Sequence, residues 1–198
     1  MRFLLIFLFF SITSFAPPEN SGVANLRYLI YQDGKEIGEI KASRWNRDKQ
    51  THFEVKTSLN IRMLGSQKVT YSSHAVYQNA HLLQSVARSY LNDKLHHNCQ
   101  VTLKSNRYEI KRDKNLSYLG RQIGYSGVML YFKEPNGISQ VFSEMTGQDN
   151  MMKRTGDGQY TMTDSKSKKQ NRYVYRNGQL EKAYINHSFF DLEVRRVN

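Results

Sequence analysis

Residues 68–77 read Lys-Val-Thr-Tyr-Ser-Ser-His-Ala-Val-Tyr, and this stretch decides the fold class. One side carries Val69, Tyr71, Ser73, Ala75 and Tyr77, while the intervening residues face the other way. This period of two is typical of a β-strand. Residues 52–61 alternate in a similar way, and turn residues separate the two runs from their neighbours. The sequence therefore predicts an antiparallel β meander.

Strand-length runs continue along most of the chain, and they predict an all-β fold. Asp33-Gly34 and Asn177-Gly178 are strong signals for tight hairpins between such runs. Ten or more antiparallel strands in one unit must curl, because a broad flat sheet exposes its edges. We expect a strongly curved sheet or open half-barrel. The remaining predicted strands are residues 25–31, 36–45, 82–91, 95–103, 108–111, 140–145, 151–155, 159–163, 172–176, 180–186 and 189–197.

One central segment breaks the alternation. Residues 124–132 are mostly apolar without a period of two, and Pro135 follows shortly after. This pattern favours a short helix that ends before the proline, although a buried strand also fits. We expect this segment to plug or cover the concave side of the sheet.

The N-terminus resembles a secretory signal peptide. Arg2 precedes about ten apolar residues, and small residues at 14 and 16 end the leader. Pro17 is an unfavourable first mature residue, so cleavage after Ala24 and retention as an N-terminal anchor both stay open. The leader predicts an exported protein, periplasmic or extracellular, with a single β-rich domain over residues 25–198. No cysteine follows the apolar run, which excludes lipoprotein processing.

The chain is basic, with a formal net charge of +12. Such a charge suggests nucleic acid, anionic lipid or acidic polysaccharide as a partner. Most of the basic residues are scattered singly, however, and export would separate the protein from nucleic acid. The densest cluster contains Lys166, Lys168, Lys169 and Arg172. It is typical of a solvated hairpin tip, with weak contact to an anionic membrane surface as the alternative.

Cys99 is the sole cysteine, so no intrachain disulfide can form. The fold must then be stabilised by packing, to which thirteen tyrosines and ten phenylalanines contribute. Cys99 lies on an apolar strand face and is expected to pack as a small hydrophobic residue. His97 lies on the same face, which leaves a catalytic pair as a weaker alternative.

Several motifs resemble an uncharacterised family of small exported β-rich proteins of Gram-negative bacteria. They are Tyr125-Ser126, Leu130-Tyr131-Phe132-x-Glu134-Pro135, Val141-Phe142-Ser143-Glu144, Tyr173-x-Tyr175-x-Asn177-Gly178-x-Leu180 and the opening pattern at residues 31–40. The resemblance implies a fold but no activity. The layout is more distantly similar to the half-barrels that carry lipoproteins between bacterial membranes, which is an analogy of architecture alone.

Candidate catalytic and metal-binding residues are few. Glu134 and Glu144 could form the carboxyl pair of a glycosidase, but structural roles in a turn and at backbone amides are the favoured interpretation. His96 and His97 point to opposite faces of a strand, and the other histidines are dispersed in sequence. We therefore expect no metal site, no cofactor and no catalytic residues.

The sequence favours a non-enzymatic binding protein. A curved sheet would leave some aromatic side chains lining a groove, and the candidates are Tyr125, Tyr131, Phe132 and Phe142. The expected ligand is apolar or amphipathic, such as a lipid, an acyl chain or a lipidated peptide. The alternative is a structural or interaction protein of the cell envelope with a packed core and a basic surface. A glycan hydrolase that uses Glu134 and Glu144 is the third hypothesis.

Overall fold

The computed structural model contains one large antiparallel sheet, and it describes residues 22–63, 65–186 and 191–197. The proposed leader therefore lies outside the described residues. The strands are β1 (Ala24–Gln32), β2 (Lys35–Arg47), β3 (Gln50–Met63), β4 (Gly65–Gln78), β5 (His81–Leu91), β6 (Lys94–Lys104), β7 (Arg107–Arg112), β8 (Asn115–Leu119), β9 (Gln140–Ser143), β10 (Gln148–Gly156), β11 (Gln159–Thr163), β12 (Gln170–Arg176), β13 (Gln179–Asn186) and β14 (Asp191–Val197).

The order of the strands makes the sheet an open barrel. Hydrogen-bonded neighbours run from β8 back to β1, then through β14 and down to β9. The two strands at the ends of this order, β8 and β9, do not pair with each other in the described part of the chain. The prediction of an all-β, strongly curved and open sheet is therefore confirmed.

The inner face of the sheet encloses one hydrophobic core. Buried residues from β1, β3, β6, β11 and β13 belong to the same cluster, so the sheet wraps around a common interior. Alternation along the strands is the cause, because every second side chain points to the same face. In β4, for example, Ser73, Ala75 and Tyr77 are all buried.

Tight turns with left-handed backbone connect many of the strands. Asn177 and Gly178 have φ angles of +52° and +74°, and Asp33 and Gly34 have angles of +49° and +75°. Positive φ at both central residues is the type I′ geometry, whose twist matches that of the flanking strands. These are the two turns that the sequence marks most strongly.

Residues 120–139, here called the inner segment, connect β8 to β9. They contain a short 3₁₀ helix, Gly127–Tyr131, which contacts β3, β4, β9 and β13. The sequence favoured a short helix in this segment, with a buried strand as the alternative, and the helix is confirmed. None of the helices in the described residues is long and apolar enough to span a membrane.

The turn after β9 and the inner segment make side-chain contacts with strands next to the two edges of the sheet. Gly147, in the turn after β9, has a φ of +67°, and a Cβ there would lie 2.5 Å from Ile110 Cγ2 of β7. The Arg121 Nε atom donates to Asp149 Oδ2 at 3.1 Å. The turn after β9 therefore packs on β7, and the inner segment is tied to β10, although the backbone ladder is not closed.

Two turn glycines differ in their surroundings and give a matched test. A Cβ at Gly178 would meet no atom within 4 Å, whereas one at Gly158 would lie 2.4 Å from the Tyr175 carbonyl oxygen. We expect Gly178→Ala to lower the free energy of unfolding by about 1–2 kcal/mol, the cost of left-handed backbone alone. Gly158→Ala adds a steric clash with β12 and should cost about 1–3 kcal/mol more. Urea denaturation of both variants measures the difference, and equal losses would contradict it.

Candidate functional site

The inner segment runs through the apolar interior, and part of its backbone hydrogen-bonds to the sheet. The amide of Leu82 donates to the Ile123 carbonyl at 2.9 Å, and the amide of Phe142 donates to the Tyr125 carbonyl at 3.1 Å. Ser126 forms an isolated parallel bridge with Phe142. These bonds attach the first half of the segment to β5 on one side and β9 on the other.

Tyrosine hydroxyls satisfy further polar groups of the inner segment. Tyr175 donates to the Leu130 carbonyl at 2.8 Å, and Tyr77 donates to Ser126 Oγ at 2.6 Å. Tyr28 donates to the Tyr131 carbonyl at 3.3 Å. Burial raises the pKa of the Tyr28 hydroxyl to about 12 and raises the pKa of Tyr77 and Tyr175 still further, so all three remain protonated donors.

Tyr108 holds the start of the inner segment. Its hydroxyl donates to the Leu82 carbonyl at 2.8 Å and accepts the Ile123 amide at 3.3 Å. This one oxygen therefore links β5 to the inner segment through both of its hydrogen-bonding capacities.

Glu144 lies against the start of the 3₁₀ helix and is only 2% exposed. Its Oε1 atom accepts the Val128 amide at 3.2 Å, and Ser126 and the Gly127 amide also hydrogen-bond to the carboxyl group. A Cβ at position 127 would lie 2.8 Å from Glu144 Oε2, which explains the glycine. Burial raises the pKa of Glu144, and the hydrogen bonds oppose this only in part.

Glu134 lies in different surroundings from Glu144. The Tyr160 hydroxyl donates to Glu134 Oε1 at 2.7 Å and also contacts the Asn136 side chain. Glu134 is half-buried and does not line the cavity that Glu144 faces. Each of the two carboxyl groups is occupied in holding the inner segment.

A cavity of about 200 Å³ lies between the 3₁₀ helix and the inner face of the sheet. Its lining is mainly apolar, and Glu144 is the one carboxyl group among the described residues that line it. The apolar lining comes from both the sheet and the inner segment and includes Val55, Val128, Leu130, Leu180, Ala183 and Val194.

The four aromatic residues that the sequence singles out lie close to the inner segment, but only two of them line the cavity. Tyr131 and Phe142 do so, and Tyr131 packs edge-to-face on Tyr28 with ring centroids 5.4 Å apart. Tyr125 is buried and donates to the Lys133 carbonyl. Phe132 packs on Phe53 at 5.6 Å.

Sequence reasoning missed other residues around the cavity. Tyr71, Met162 and Ile185 line it and are only partly buried, so they mark the side where the cavity is least covered. Tyr71 and Met162 stand at inward positions of predicted strands. An inward strand position alone does not show whether a side chain lines a cavity or packs in the core.

Cys99 is fully buried, and burial raises the pKa of its thiol to about 11. The thiolate that a nucleophile needs is therefore disfavoured. The neighbouring His97 contacts Asp113 through Nδ1 at 3.0 Å. Asp113 in turn accepts the Asn98 amide, and these contacts hold its pKa below the ordinary value.

The basic cluster lies at the turn between β11 and β12. Lys166 and Lys168 are exposed there, and the Asp164 carboxylate accepts the Lys166 amide at 3.1 Å. Arg172, in β12, stacks over the ring of Tyr184 at 4.2 Å.

The histidines require two corrections to the sequence analysis. His96 and His97 were expected on opposite faces of a strand, but their ring centroids lie 4.2 Å apart, because the register of β6 against β5 shifts between His97 and Leu95. His52 and His74 are dispersed in sequence, but the structure places their Nδ1 and Nε2 atoms 3.3 Å apart on the outer face of the sheet. Their separation of 22 residues gives no motif. The contact arises from the register of β3 against β4, which the sequence does not reveal.

Comparison with known proteins gives a family and a fold. The model of a family described as Domain of unknown function (DUF6134) matches residues 28–197. The chain is also similar to the crystal structure of a β-barrel-like protein of Domain of Unknown Function DUF1849 from Brucella abortus. The TM-score is 0.56 at 11% sequence identity, over 88% of this chain and 95% of that chain, so this likeness concerns the fold alone. No curated protein matches the chain. The predicted resemblance to an uncharacterised β-rich family is thus confirmed at that level.

Removing a single tyrosine hydroxyl tests the attachment of the inner segment. Tyr175→Phe leaves the buried Leu130 carbonyl without its donor, and we expect a loss of about 1–3 kcal/mol in the free energy of unfolding. Tyr118→Phe is the matched control, because Tyr118 is 51% exposed and Phe keeps the ring that Arg107 covers. Urea denaturation should show almost no change for the control. A similar loss in both variants would contradict the role of the hydroxyl.

The raised pKa of Glu144 predicts a pH dependence of stability. The carboxyl group ionises more readily in the unfolded chain, so its contribution lowers the free energy of unfolding as pH rises above the ordinary Glu value of about 4.3. Glu144→Gln removes this titration, and the variant should gain stability relative to wild type between about pH 4 and pH 7. Glu36→Gln, at an exposed position, is the control. A difference between E144Q and wild type that stays constant or falls over this range would refute the prediction.

Proposed function

We propose that this chain, which belongs to the DUF6134 family, is a non-enzymatic protein that binds an apolar or amphipathic ligand in its inner cavity. The observation that supports the proposal is the cavity of about 200 Å³ between the 3₁₀ helix and the sheet. Apolar voids of this kind are costly in a packed interior, because the atoms around them lose contacts. A ligand that fills the void restores those contacts.

The volume limits what can enter. A buried apolar cavity of about 150 Å³ is enough for benzene, whereas pockets for drug-sized molecules measure about 300–1,000 Å³. The present cavity, at about 200 Å³, therefore suits one ring or a short alkyl segment. A longer acyl chain or lipidated peptide would insert its apolar end and leave the remainder outside.

The lining suggests how the two ends of such a ligand are placed. Tyr71, Tyr131, Met162 and Ile185 are partly exposed and give the less covered side an apolar rim. Among the buried residues that line the cavity, only Glu144, Asn150 and Tyr173 carry polar side-chain groups. Because burial favours the neutral form of Glu144, this group can face an uncharged ligand without an isolated buried charge.

A non-enzymatic role is consistent with the chemistry of the interior. Glu144 receives hydrogen bonds from the inner segment, Glu134 receives one from Tyr160, and the Cys99 thiol is buried with a raised pKa. Each of these groups has a structural partner or an apolar environment. None of them stands with a base, an oxyanion donor and an open cleft among the described residues.

Export is part of the same proposal. The apolar leader at residues 3–12 would direct the chain to the cell envelope of a Gram-negative bacterium, where an anionic membrane surface is a source of amphipathic ligands. Cleavage after Ala16 would leave the sheet intact, whereas cleavage after Ala24 would remove the first residue of β1. N-terminal sequencing of protein recovered from the envelope distinguishes these from a retained leader.

The cavity can be filled by mutation. We expect 1-octanol, a neutral amphipathic probe, to bind wild-type protein and to shift the methyl resonances of Val128, Leu130 and Ala183 saturably in NMR spectra. Its neutrality removes charge attraction to the basic surface as a cause of binding. Ala183→Leu places extra carbons in the cavity and should weaken octanol binding by about tenfold or more, equivalent to about 1.4 kcal/mol.

Ala87→Leu is the matched control for this substitution. Ala87 is fully buried in β5 but does not line the cavity, so a larger side chain has no void to enter and should cost about 1–3 kcal/mol of stability. Ala183→Leu should cost less. Unchanged octanol affinity in Ala183→Leu, or shifts confined to surface methyls, would overturn the proposal. Native mass spectrometry of protein isolated from the cell envelope is an independent test, in which a co-purifying apolar molecule is the expected result.

A further inference from the structure

Three aromatic side chains meet on the outer face of the sheet, away from the cavity. Trp45 of β2 stands directly opposite His52 of β3. His74 of β4 stands opposite Glu54, two residues along β3 from His52. Diagonal neighbours of this kind are within reach of long side chains. All three residues are half-buried.

The two imidazole rings face each other edge to edge. His52 Nδ1 and His74 Nε2 are 3.3 Å apart, the ring centroids are 5.5 Å apart, and the planes differ by only 14°. The centroid distance exceeds the N···N distance by about two ring radii, so the two nitrogens lie on the line between the rings. The rings are therefore nearly coplanar, with one nitrogen of each directed at the other.

Trp45 covers this pair from one side. Its ring is nearly parallel to both imidazoles, at 9° to His52 and 6° to His74, with centroid distances of 5.1 Å and 5.7 Å. The indole therefore packs against both imidazole rings. The two imidazoles are thus held by packing and by the hydrogen bond between His52 Nδ1 and His74 Nε2, in which the tautomers decide which nitrogen donates.

Convergent imidazole nitrogens are ligands for transition metals. Two nitrogens that each lie about 2.0–2.1 Å from one tetrahedral ion are about 3.3 Å apart, which is the separation seen between His52 and His74. Metal binding would replace the hydrogen bond between the rings. The donor ring would take its other tautomer, with the proton on its second nitrogen, and both rings would rotate so that their lone pairs point at a shared ion.

We propose that His52 and His74 together bind one divalent transition-metal ion on the outer face of the sheet, with Trp45 packed over the site. In the described residues no cluster of three or more His, Cys, Asp or Glu side chains could hold an ion, so water completes the coordination. The nearest carboxylate along β3, Glu54, is paired with Lys56 at 2.8 Å. Among first-row divalent ions, Cu²⁺ should bind most tightly and Zn²⁺ more weakly.

Trp45 makes the site measurable, because it is the sole tryptophan in the chain. Titration of the full chain with CuCl₂ should quench its fluorescence and saturate at one equivalent, and ZnCl₂ should compete. His52→Gln and His74→Gln should each weaken the apparent Cu²⁺ affinity by about tenfold or more, as loss of even an outer partner of a metal ligand does. His96→Gln tests the other contacting imidazole pair of the described residues, His96 and His97, whose ring centroids lie 4.2 Å apart. It should leave the copper affinity reported by Trp45 unchanged, because His96 lies on β6 and Trp45 on β2.

A second readout does not depend on tryptophan. Pulsed EPR of the Cu²⁺-loaded wild type should show two equatorial imidazoles, and each single variant should show one. Circular dichroism establishes that each variant folds before it is titrated. Quenching that never saturates, equal affinity in wild type and both variants, or a single imidazole in the wild-type spectrum would overturn the proposal.

Discussion

The structure depends on satisfying the backbone of a segment that lies inside the curved sheet and pairs with its strands at only a few positions. A strand has its polar groups paired by its neighbours, whereas a buried connection must find other partners or lose about 1–3 kcal/mol per unsatisfied group. Three tyrosines of the surrounding strands, Tyr28, Tyr108 and Tyr175, supply such partners to backbone groups of the inner segment. Two more, Tyr77 and Tyr160, bond its Ser126 and Glu134 side chains. Each residue contributes an apolar ring to the core and a donor at its tip, which explains how a chain without a disulfide retains an ordered interior.

The irregular inner segment also leaves part of the interior unfilled. Strands pack through regular rows of side chains, but a 3₁₀ helix of five residues followed by an irregular return cannot interdigitate with those rows along its whole length. The cavity lies where the helix and the sheet fail to fill the interior. Glu144 belongs to this boundary, because its carboxyl group satisfies the amides at the start of the helix and also faces the cavity. The Glu144 carboxyl group therefore holds the start of the 3₁₀ helix and also provides a polar group in the cavity lining.

Much of the fold could be predicted from the sequence, because a strand with one buried face records that burial in its alternation. Residues 159–163 and 172–176 illustrate this, since both runs lie within observed strands. The strand Asn115–Leu119 could not be recognised, because four of its five residues are exposed and no contrast between faces exists. For the inner segment, the sequence predicted only that it would plug or cover the concave side of the sheet. Which of its side chains line a cavity depends on how an aperiodic chain is oriented, so Tyr131 and Tyr125 could not be distinguished. The His52–His74 contact depends on strand register.

The two faces of β3 and β4 carry the cavity and the histidine pair separately. Val55 and Tyr71 line the cavity, while His52 and His74 lie an odd number of residues away on the same strands and therefore point outward. A substitution of either histidine changes no side chain of the cavity lining, and Ala183 belongs to β13, several strands from Trp45. Sites this far apart with no shared partners are expected to respond to mutation independently. Failure of a metal to bind the outer face would thus leave the case for an apolar ligand unchanged, and the reverse also holds.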